Sequence, residues 1–319
     1  MRVLFMGTGE IALPSFRMVA DEHVTIGLVT QPDRPVGRSS KPRPPRIKEL
    51  ALEAGIPVLQ PERVRRREAL DEIAALAPDL IVVMAYGQIL PKELLEMPPR
   101  ACINVHASLL PRHRGASCLQ AAIEAGDQES GVTIMHMAEG LDTGDIILQQ
   151  RIPLLPAETG GSLHDRIAQL SPGCLREAVN AIREGSEERI PQDERFATYA
   201  PKLDRADGEL DWSMPARHLE RRIRANDPWP GTFTALPGEH GRPLRLKVFP
   251  PVAIAEGEGG SGELVAVDTD GISIACGGGA LQLGEVQADG GRRLGMREFL
   301  AGHRLLVGDR FFSLERGRE

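Results

Sequence analysis

Short runs of apolar, often β-branched residues alternate with amphipathic stretches along the first part of the chain. The runs predict strands at Val3–Met6, Val24–Thr30, Leu80–Ala85, Cys102–His106 and Val132–Met137. The stretches predict helices near Ile11–Ala20, Ile47–Ala54, Glu68–Leu76, Ser117–Ala125 and Leu163–Arg183. Alternation of this kind builds a mostly parallel sheet covered on both faces. We therefore predict an α/β, Rossmann-like domain over residues 1–188, with its ligand site at the carboxyl ends of the strands.

The pattern of hydrophobic and polar residues changes in the second part of the chain. Periodicity is lost between Glu184 and Asp207, where prolines and charges predict a linker over residues 189–206. Beyond it, glycine-rich turns separate short strands, predicted at Thr232–Leu236, Leu244–Phe249, Gly262–Asp268, Gly271–Ala275 and Ala280–Val286, with one helix at Ala216–Ala225. This spacing is typical of a small β-barrel. We predict a smaller, OB-like barrel domain over residues 207–319.

Composition and charge narrow the class of protein. The 319 residues are 41% hydrophobic and 26% charged, as in soluble globular proteins. Because no run of 18 apolar residues and no basic-then-apolar leader occurs, we expect a cytoplasmic protein without a membrane segment. The four cysteines form no C-x-x-C pair, which argues against a zinc site or a disulfide framework. A net charge of -7 argues against a protein that coats nucleic acid by charge alone.

The first turn fits a dinucleotide-binding fingerprint. Gly7-Thr8-Gly9-Glu10-Ile11-Ala12 has the G-x-G-x-x-G/A spacing after a predicted strand. A carboxylate for the ribose should follow about 20 residues later, at the end of the second strand. That strand instead ends in Gln31-Pro32, and Asp33 comes late among prolines and cations. Since any doubly wound domain needs a tight turn here, a nicotinamide site stays an alternative at this point.

Polar side chains at two strand ends carry the strongest chemical signal. Asn104 and His106 lie two apart on one strand, so both point to the same face. Asp142 lies in a glycine-punctuated acidic loop after the next strand. Asn, His and Asp from neighbouring strand ends would supply an amide donor, an imidazole and a carboxylate that orients it. The competing explanation is an ordinary strand terminus that is hydrogen-bonded into its loop.

The chain resembles the folate-dependent formyltransferase family. The resemblance rests on "NVHASLLPR" paired with "GVTIMHMAEGLDTGDI", and it extends through "TQPDRPVGR", "AYGQILPKELLEMP" and "RIRANDPWPG" over nearly the whole chain. Over that length it is similar to the members that formylate initiator methionyl-tRNA. The resemblance implies that the glycine turn belongs to a scaffold for a formylated folate rather than for a dinucleotide.

The residues themselves fit such a transfer. An amine that attacks a formyl group creates an oxyanion and must lose a proton. Asn104 can donate to the oxyanion, His106 can donate a hydrogen bond or proton to the same oxygen, and Asp142 can pair with His106 and accept the proton from the amine. This chemistry requires neither a metal nor a covalent nucleophile.

The resemblance also implies the ligands and the segments that bind them. The expected donor is 10-formyltetrahydrofolate, the product tetrahydrofolate, the acceptor initiator methionyl-tRNA, and the enzyme a monomer without a metal. The residues implied for the pterin are Tyr86, Gly87, Gln88, Ile89, Leu90, Ser108, Leu109, Leu110, Pro111, Gly140 and Leu141. The chain departs from the family pattern at Gly9-Glu10-Ile11 in the first turn, and at His113 and Cys118, where family members usually carry Trp and Pro.

A basic insertion suggests a nucleic-acid partner. Between Gln31 and Lys48, six cations face the single acid Asp33, a net charge of +5 in an acidic chain. The cations are Arg34, Arg38, Lys41, Arg43, Arg46 and Lys48. The insertion follows a strand end of the predicted sheet, which favours a clamp for the acceptor end of tRNA over an ordinary solvated face.

Two other functions stay open on the sequence alone. A formyltransferase for a small amine, such as a nucleotide or sugar nucleotide, would share Asn104, His106 and Asp142. A catalytically inactive tRNA-binding protein would share the scaffold. In the predicted barrel domain, Arg221, Arg222, Arg224, Arg292, Arg293 and Arg297 cluster in sequence and form a second candidate basic patch.

Overall fold

Fifteen strands and eight helices are described in the computed structural model, which covers residues 1–35, 42–238, 242–268 and 271–314. The strands are β1 Arg2–Gly7, β2 Val24–Val29, β3 Arg34–Pro35, β4 Pro42–Arg43, β5 Val58–Leu59, β6 Leu80–Met84, β7 Ala101–His106, β8 Glu129–His136, β9 Ile146–Pro153, β10 Thr232–Leu236, β11 Leu244–Ala255, β12 Leu264–Val267, β13 Ile272–Ala275, β14 Ala280–Ala288 and β15 Leu294–Gly295. The helices are α1 Leu13–Glu22, α2 Arg46–Glu53, α3 Arg67–Ala75, α4 Lys92–Leu95, α5 Cys118–Ala125, α6 Gly160–Glu184, α7 Ala216–Ala225 and α8 Met296–Gly302.

The chain divides into two compact units that are not contiguous in sequence. The first unit comprises Met1–Cys118, Glu129–Pro153 and His164–Pro201, and the second comprises Leu119–Gln128, Leu154–Leu163 and the chain from Lys202 onward. The domain limits 1–188, 189–206 and 207–319 stay predictions.

The first unit is built on a seven-stranded sheet of order β5-β2-β1-β6-β7-β8-β9. The first five strands in that order run parallel to their neighbours. Strands β6 and β7 are buried along their whole length, which explains why their sequences are nearly continuous apolar runs. The predicted α/β class with a mostly parallel sheet is confirmed. The edge strand β9 escaped prediction because its outer residues, such as Gln150 and Arg151, interrupt the apolar pattern.

Strand β8 differs from the expected arrangement because it runs antiparallel to β7. Ile103 lies opposite His136, and His106 lies opposite Thr133. The carboxyl end of β8 therefore lies beside the first half of β7, away from the end that carries His106. The β8–β9 connection must turn back along the sheet to bring Asp142 to the end of β7.

The glycine turn after β1 serves packing within the sheet. A Cβ on Gly7 would lie 2.9 Å from the carbonyl oxygen of Met84, so only glycine lets the ends of β1 and β6 approach this closely. The Thr8 hydroxyl donates to the carbonyl oxygen of Tyr86 at 3.3 Å. The helical turn that follows begins with Glu10, whose charge opposes an anion at that helix end. These features do not favour a dinucleotide phosphate.

The second unit contains the antiparallel sheet β10-β11-β14-β13-β12, with β15 paired to β14. Its two edge strands are joined through one segment near the end of the described chain. Phe312 pairs with Ala235 of β10, and Arg310 pairs with Glu263 just before β12. The sheet therefore closes on itself, as in the predicted barrel. The five predicted strands and helix α7 are confirmed, whereas α8 and β15 were not predicted.

An apolar core fills this barrel. Leu246, Leu264, Ile274 and Leu283 are fully buried in it. The ring of Trp212 packs edge-on against Phe311 with centroids 6.0 Å apart, and its indole N–H donates to the Thr234 hydroxyl at 2.9 Å. The polar end of the indole is thereby satisfied inside the core.

Among the helices in the described ranges, none combines the length and the apolar composition needed to cross a bilayer.

Candidate active site

Strand β7 delivers Asn104 and His106 to one face at its carboxyl end. Both side chains are buried, although both are polar. The hydroxyl of Thr133, opposite His106, secures the turn that follows by donating to the Ser108 carbonyl at 2.6 Å. The Thr133 hydroxyl oxygen in turn accepts the backbone N–H of Leu110 at 3.2 Å. The end of β7 is therefore held in place by its antiparallel neighbour.

Asp142 reaches this face from the β8–β9 connection in a left-handed backbone conformation, with φ of +52°. Its Oδ2 accepts the backbone N–H of Gly115 at 2.8 Å, and its Oδ1 lies 3.5 Å from Nδ2 of Asn104. Oδ2 also lies 3.6 Å from Nδ1 of His106. The three residues singled out in the sequence are thus brought together around one carboxylate.

The His106 ring is enclosed by protein groups on both sides. Its Nε2 lies 3.0 Å from the carbonyl oxygen of His113, and its Nδ1 faces Asp142. Burial lowers the pKa of His106, but contact with Cys118, the negative charge of Asp142 and the His113 carbonyl outweigh burial and raise the pKa to about 9. The raised pKa favours the charged form of the ring. Two of the residues that depart from the family pattern, His113 and Cys118, contact this histidine.

Sequence reasoning missed two residues that hold the Asp142 loop. The side-chain amide of Gln192 donates to the carbonyl oxygens of Asp142 and Gly144, each at 2.8 Å. The fully buried guanidinium of Arg114 donates in turn to Oε1 of Gln192, at 3.1 and 2.9 Å. Gln192 lies in the stretch predicted as a linker. A polar residue in a segment without periodicity does not by itself indicate a role in a site.

The segment predicted to bind the pterin presents both buried and exposed groups. Tyr86 and Leu90 are buried in the core, and Gln88 is fixed by hydrogen bonds to Val64 and Pro61. The side chain of Ile89 is 89% exposed. Gly87 has φ of +84°, which lets the chain turn between the two buried residues.

The other segments predicted for the pterin contribute differently. Ser108 and Leu110 are buried, and the Ser108 hydroxyl donates to the Arg112 carbonyl at 2.7 Å. Gly140 is exposed, and the Leu141 side chain is 57% exposed. Lys92, two residues after the 86–90 segment, lies 3.4 Å from Glu139. Ile89 and Leu141 therefore belong to neighbouring loops. The pterin contacts, including those of Leu109 and Pro111, stay predictions.

The basic insertion contains a two-stranded ribbon, β3 paired with β4, in which Arg34 lies opposite Arg43. Arg46 and Lys48 lie on α2. Arg34, Arg43 and Arg46 are exposed. Lys48 differs, because its ammonium lies 2.9 Å from Asp33 and holds the base of the ribbon. Arg38 and Lys41 lie outside the described residues. Just before the ribbon, the side chain of Gln31 donates to the Tyr86 carbonyl at 3.1 Å, so the ribbon starts beside the 86–90 segment.

Three arginines of the second candidate patch, all on α7, are engaged within the second unit. Arg222 lies 2.7 Å from Glu124, Arg224 pairs with Glu220, and Arg221 donates to the Ala125 carbonyl at 3.3 Å. These three guanidinium groups are paired with neighbouring residues of the second unit, so they do not form an exposed basic patch. Arg293 lies over the Phe249 ring, with its guanidinium carbon 4.3 Å from the ring centroid, and pairs with Glu285.

Within the described part of the chain, no group of three or more His, Cys, Asp and Glu side chains is arranged to hold a metal ion.

Comparison with known proteins identifies the family to which the chain belongs. Residues 1–179 match the family model described as formyl transferase, and residues 202–304 match its C-terminal domain. The chain is 52% identical to a methionyl-tRNA formyltransferase of Akkermansia muciniphila, covering 95% of this chain and 97% of that protein. It is 47% identical to a methionyl-tRNA formyltransferase of Pseudomonas fluorescens, covering 95% and 94%.

Solved structures share the fold at low sequence identity. The sugar 3N-formyltransferase WlaRD superposes with a TM-score of 0.63 at 17% identity, covering 90% of this chain and 97% of that chain. HypX of Aquifex aeolicus, in complex with tetrahydrofolic acid, superposes with a TM-score of 0.58 at 20% identity, covering 94% of this chain and 47% of that chain. From the family models and the identity over nearly its full length, the chain belongs to the formyl transferase family.

Proposed function

We propose that this protein transfers the formyl group of 10-formyltetrahydrofolate to the amino group of the methionine on initiator methionyl-tRNA, which supports translation initiation. The observation that carries the proposal is the cluster of Asn104, His106 and Asp142 at the end of β7 in a chain of this family. Relatives about half identical over nearly the whole length carry that activity in their names.

Asn104 and His106 stabilise negative charge on the formyl oxygen. One N–H of Asn104 points toward Asp142 at the long distance of 3.5 Å, and the amide has a second N–H to offer a substrate oxygen. The charged imidazolium of His106 adds a positive field in a buried site, where electrostatic stabilisation is strong. For His106 to donate directly to the substrate oxygen, one ring nitrogen must release its present neighbour, either the His113 carbonyl or Asp142.

Asp142 handles the proton of the attacking amine. Its carboxylate is only partly enclosed, with a side-chain exposure of 13%, so it can reach the amine directly or through one water. The amine nitrogen bonds to the formyl carbon, the bond from that carbon to the folate nitrogen breaks, and the proton lost by the amine ends on the folate nitrogen.

The surface of the first unit is suited to a folate. A pterin is a flat ring with amide-like edges, so it needs apolar cover and main-chain partners. Ile89 and Leu141, exposed on neighbouring loops, offer apolar cover, and the backbone of 86–90 and 138–142 offers the partners. The donor supplies an activated formyl group; these residues would hold and orient it.

The arginines of the β3–β4 ribbon favour a tRNA as the substrate that accepts the formyl group. Arg34 and Arg43 of the ribbon and Arg46 of α2 are exposed, and the ribbon starts beside the segment proposed to hold the donor. Arg38 and Lys41 add charge to the same insertion in sequence. Arginine binds phosphate with two parallel hydrogen bonds, and phosphate contacts supply most of the affinity for nucleic acid. We expect the ribbon to bind the phosphates of the acceptor end.

The test is a product assay with three acceptors. The protein is incubated with 10-formyltetrahydrofolate and methionyl initiator tRNA, free methionine, or a panel of amino sugar nucleotides, and N-formyl products are identified by mass spectrometry. We expect formylmethionyl-tRNA with turnover. Formylation of a small amine in preference to the tRNA would favour the small-amine formyltransferase, and tRNA binding without any product would favour the inactive binding protein.

A further inference from the structure

The stretch from Ile190 to Ala200, which we call the strap, is fastened to the two loops that form the site. At one end, Ile190 exchanges two backbone hydrogen bonds with Ile146, the first residue of β9, at 2.8 and 3.0 Å. At the other end, Arg114 donates its N–H to the Thr198 carbonyl at 2.8 Å and accepts the N–H of Ala200 at 2.7 Å. The strap therefore joins the β8–β9 connection to the loop after β7.

Gln192 lies between these two pairs of backbone hydrogen bonds. Every donor and acceptor of its side-chain amide forms a hydrogen bond. Nε2 has two N–H groups and donates to the carbonyls of Asp142 and Gly144, while Oε1 accepts both hydrogen bonds from Arg114. Only this orientation of the amide is possible, because the flipped one would set its NH₂ group against the guanidinium and its oxygen against two carbonyls. Since every donor and acceptor has a partner, the amide is rigidly oriented.

Arg114 gives this arrangement a fixed base. Its side chain is fully buried, and Glu194 of the strap pairs with it at 2.8 Å, which raises the pKa of the guanidinium. A buried guanidinium must keep its partners, because an unpaired buried charge is strongly unfavourable. Arg114 therefore cannot move from Gln192 and Glu194 without loss of stability.

Asp142 needs such support. A non-glycine residue in the left-handed region is unfavourable and persists where surrounding contacts fix it. The two hydrogen bonds from Gln192 fix the carbonyls of residues 142 and 144 on either side of the turn. The carboxylate then points inward, toward Gly115, Asn104 and His106.

We infer that Gln192 is a positioning residue of this enzyme, one that holds the Asp142 loop in the conformation that sets its carboxylate against Asn104 and His106. The inference rests on the proposed function in taking Asp142 as the proton acceptor. Arg114 fixes the orientation of Gln192 by donating two hydrogen bonds to its Oε1. The segment that looked like a linker in the sequence is, on this account, part of the site's framework.

The test compares two variants of Gln192 with a control in the same strap. Gln192→Leu keeps the volume and removes all four hydrogen bonds. Gln192→Glu keeps an acceptor for Arg114 but sets an oxygen against the two carbonyls of the Asp142 loop. Arg195→Gln is the matched control, since Arg195 is 82% exposed and forms its ion pair with its neighbour Asp193.

We expect kcat to fall about 10- to 100-fold in both Gln192 variants, with the KM for the formyl donor nearly unchanged, because orientation rather than binding is lost. Arg195→Gln should stay within about twofold of the original protein. Thermal unfolding of each variant shows whether it folds, and Gln192→Glu, which retains an acceptor for Arg114, serves if Gln192→Leu does not.

A second readout needs no activity. Asp142 and Cys118 are the titratable groups that raise the pKa of the His106 imidazole. A displaced Asp142 carboxylate should therefore lower this pKa by about one pH unit. NMR titration of the imidazole measures the change. If the original protein transfers no formyl group but this pKa falls in the variants, the proposed function fails and the positioning role stands. Unchanged kcat and an unchanged imidazole titration in both folded Gln192 variants would overturn the inference.

Discussion

The Nδ1 atom of His106 lies 3.6 Å from the Oδ2 atom of Asp142 at the buried end of β7. This separation is long for a hydrogen bond but close enough for strong charge attraction in a buried site. The same carboxylate oxygen accepts the Gly115 N–H at 2.8 Å, which fixes its position relative to the ring. The pair is therefore held mainly by charge and by the surrounding backbone.

The charge of Asp142 can be removed without disturbing its backbone. Asparagine tolerates the left-handed conformation better than most residues, so Asp142→Asn should fold normally. Because the variant cannot accept the proton of the amine, we expect kcat to fall by about 10²–10⁴. It should also lower the pKa of His106, which NMR titration would detect. A fully active variant would assign proton transfer to another group.

The raised pKa of His106 predicts how stability depends on pH. The pKa is about 9 in the folded protein against an ordinary value of 6.5, so between these values the folded state holds a proton that the unfolded state has lost. The stabilisation is fully present below pH 6.5 and is lost as pH rises toward 9, with a slope of at most about 1.4 kcal/mol per pH unit.

The measurement is chemical denaturation at several pH values with the original protein and with His106→Gln. The difference in the free energy of unfolding between the two should shrink as pH rises through this range. A difference that does not change with pH would mean that the imidazole is not preferentially protonated in the folded state.

The ribbon prediction is tested by the salt dependence of tRNA binding. Arg34→Ala, Arg43→Ala and Arg38→Ala, the last chosen from sequence alone because it lies outside the described residues, should each weaken tRNA binding. Each should also reduce the slope of log K against log salt by about 0.7–0.9 for every phosphate that the arginine no longer neutralises. Folate binding should not change. Arg17→Ala removes an exposed arginine of α1 and is the control. Slopes equal to that of the control would make the ribbon an ordinary solvated surface.

The sequence predicted the elements that repeat a simple pattern. The buried strands β6 and β7 are apolar on both faces, and Asn104 and His106 stand out because they interrupt β7. Side-chain alternation alone was enough to set those two residues on one face. The types of functional group in the candidate site could therefore be predicted from the sequence, whereas their distances could not.

The remaining features depend on contacts between residues distant in sequence. The antiparallel direction of β8 relative to β7 is a property of the pairing between the two strands, which local periodicity does not reveal. Arg114 and Gln192 are 78 residues apart, and each is unremarkable in its own segment. Burial makes them partners, because a guanidinium at zero exposure requires the strap to supply acceptors.

Stabilisation of the oxyanion of formyl transfer by the end of β7 is tested by measuring kcat for formylation of methionyl initiator tRNA in Asn104→Ala. Asn104 is replaced without removing an apolar core side chain, so the fold and the affinity for the formyl donor should be nearly unchanged. We expect a fall in kcat of about 10²–10³, the loss typical of one oxyanion donor. A variant that retains more than about half of the original kcat would contradict it.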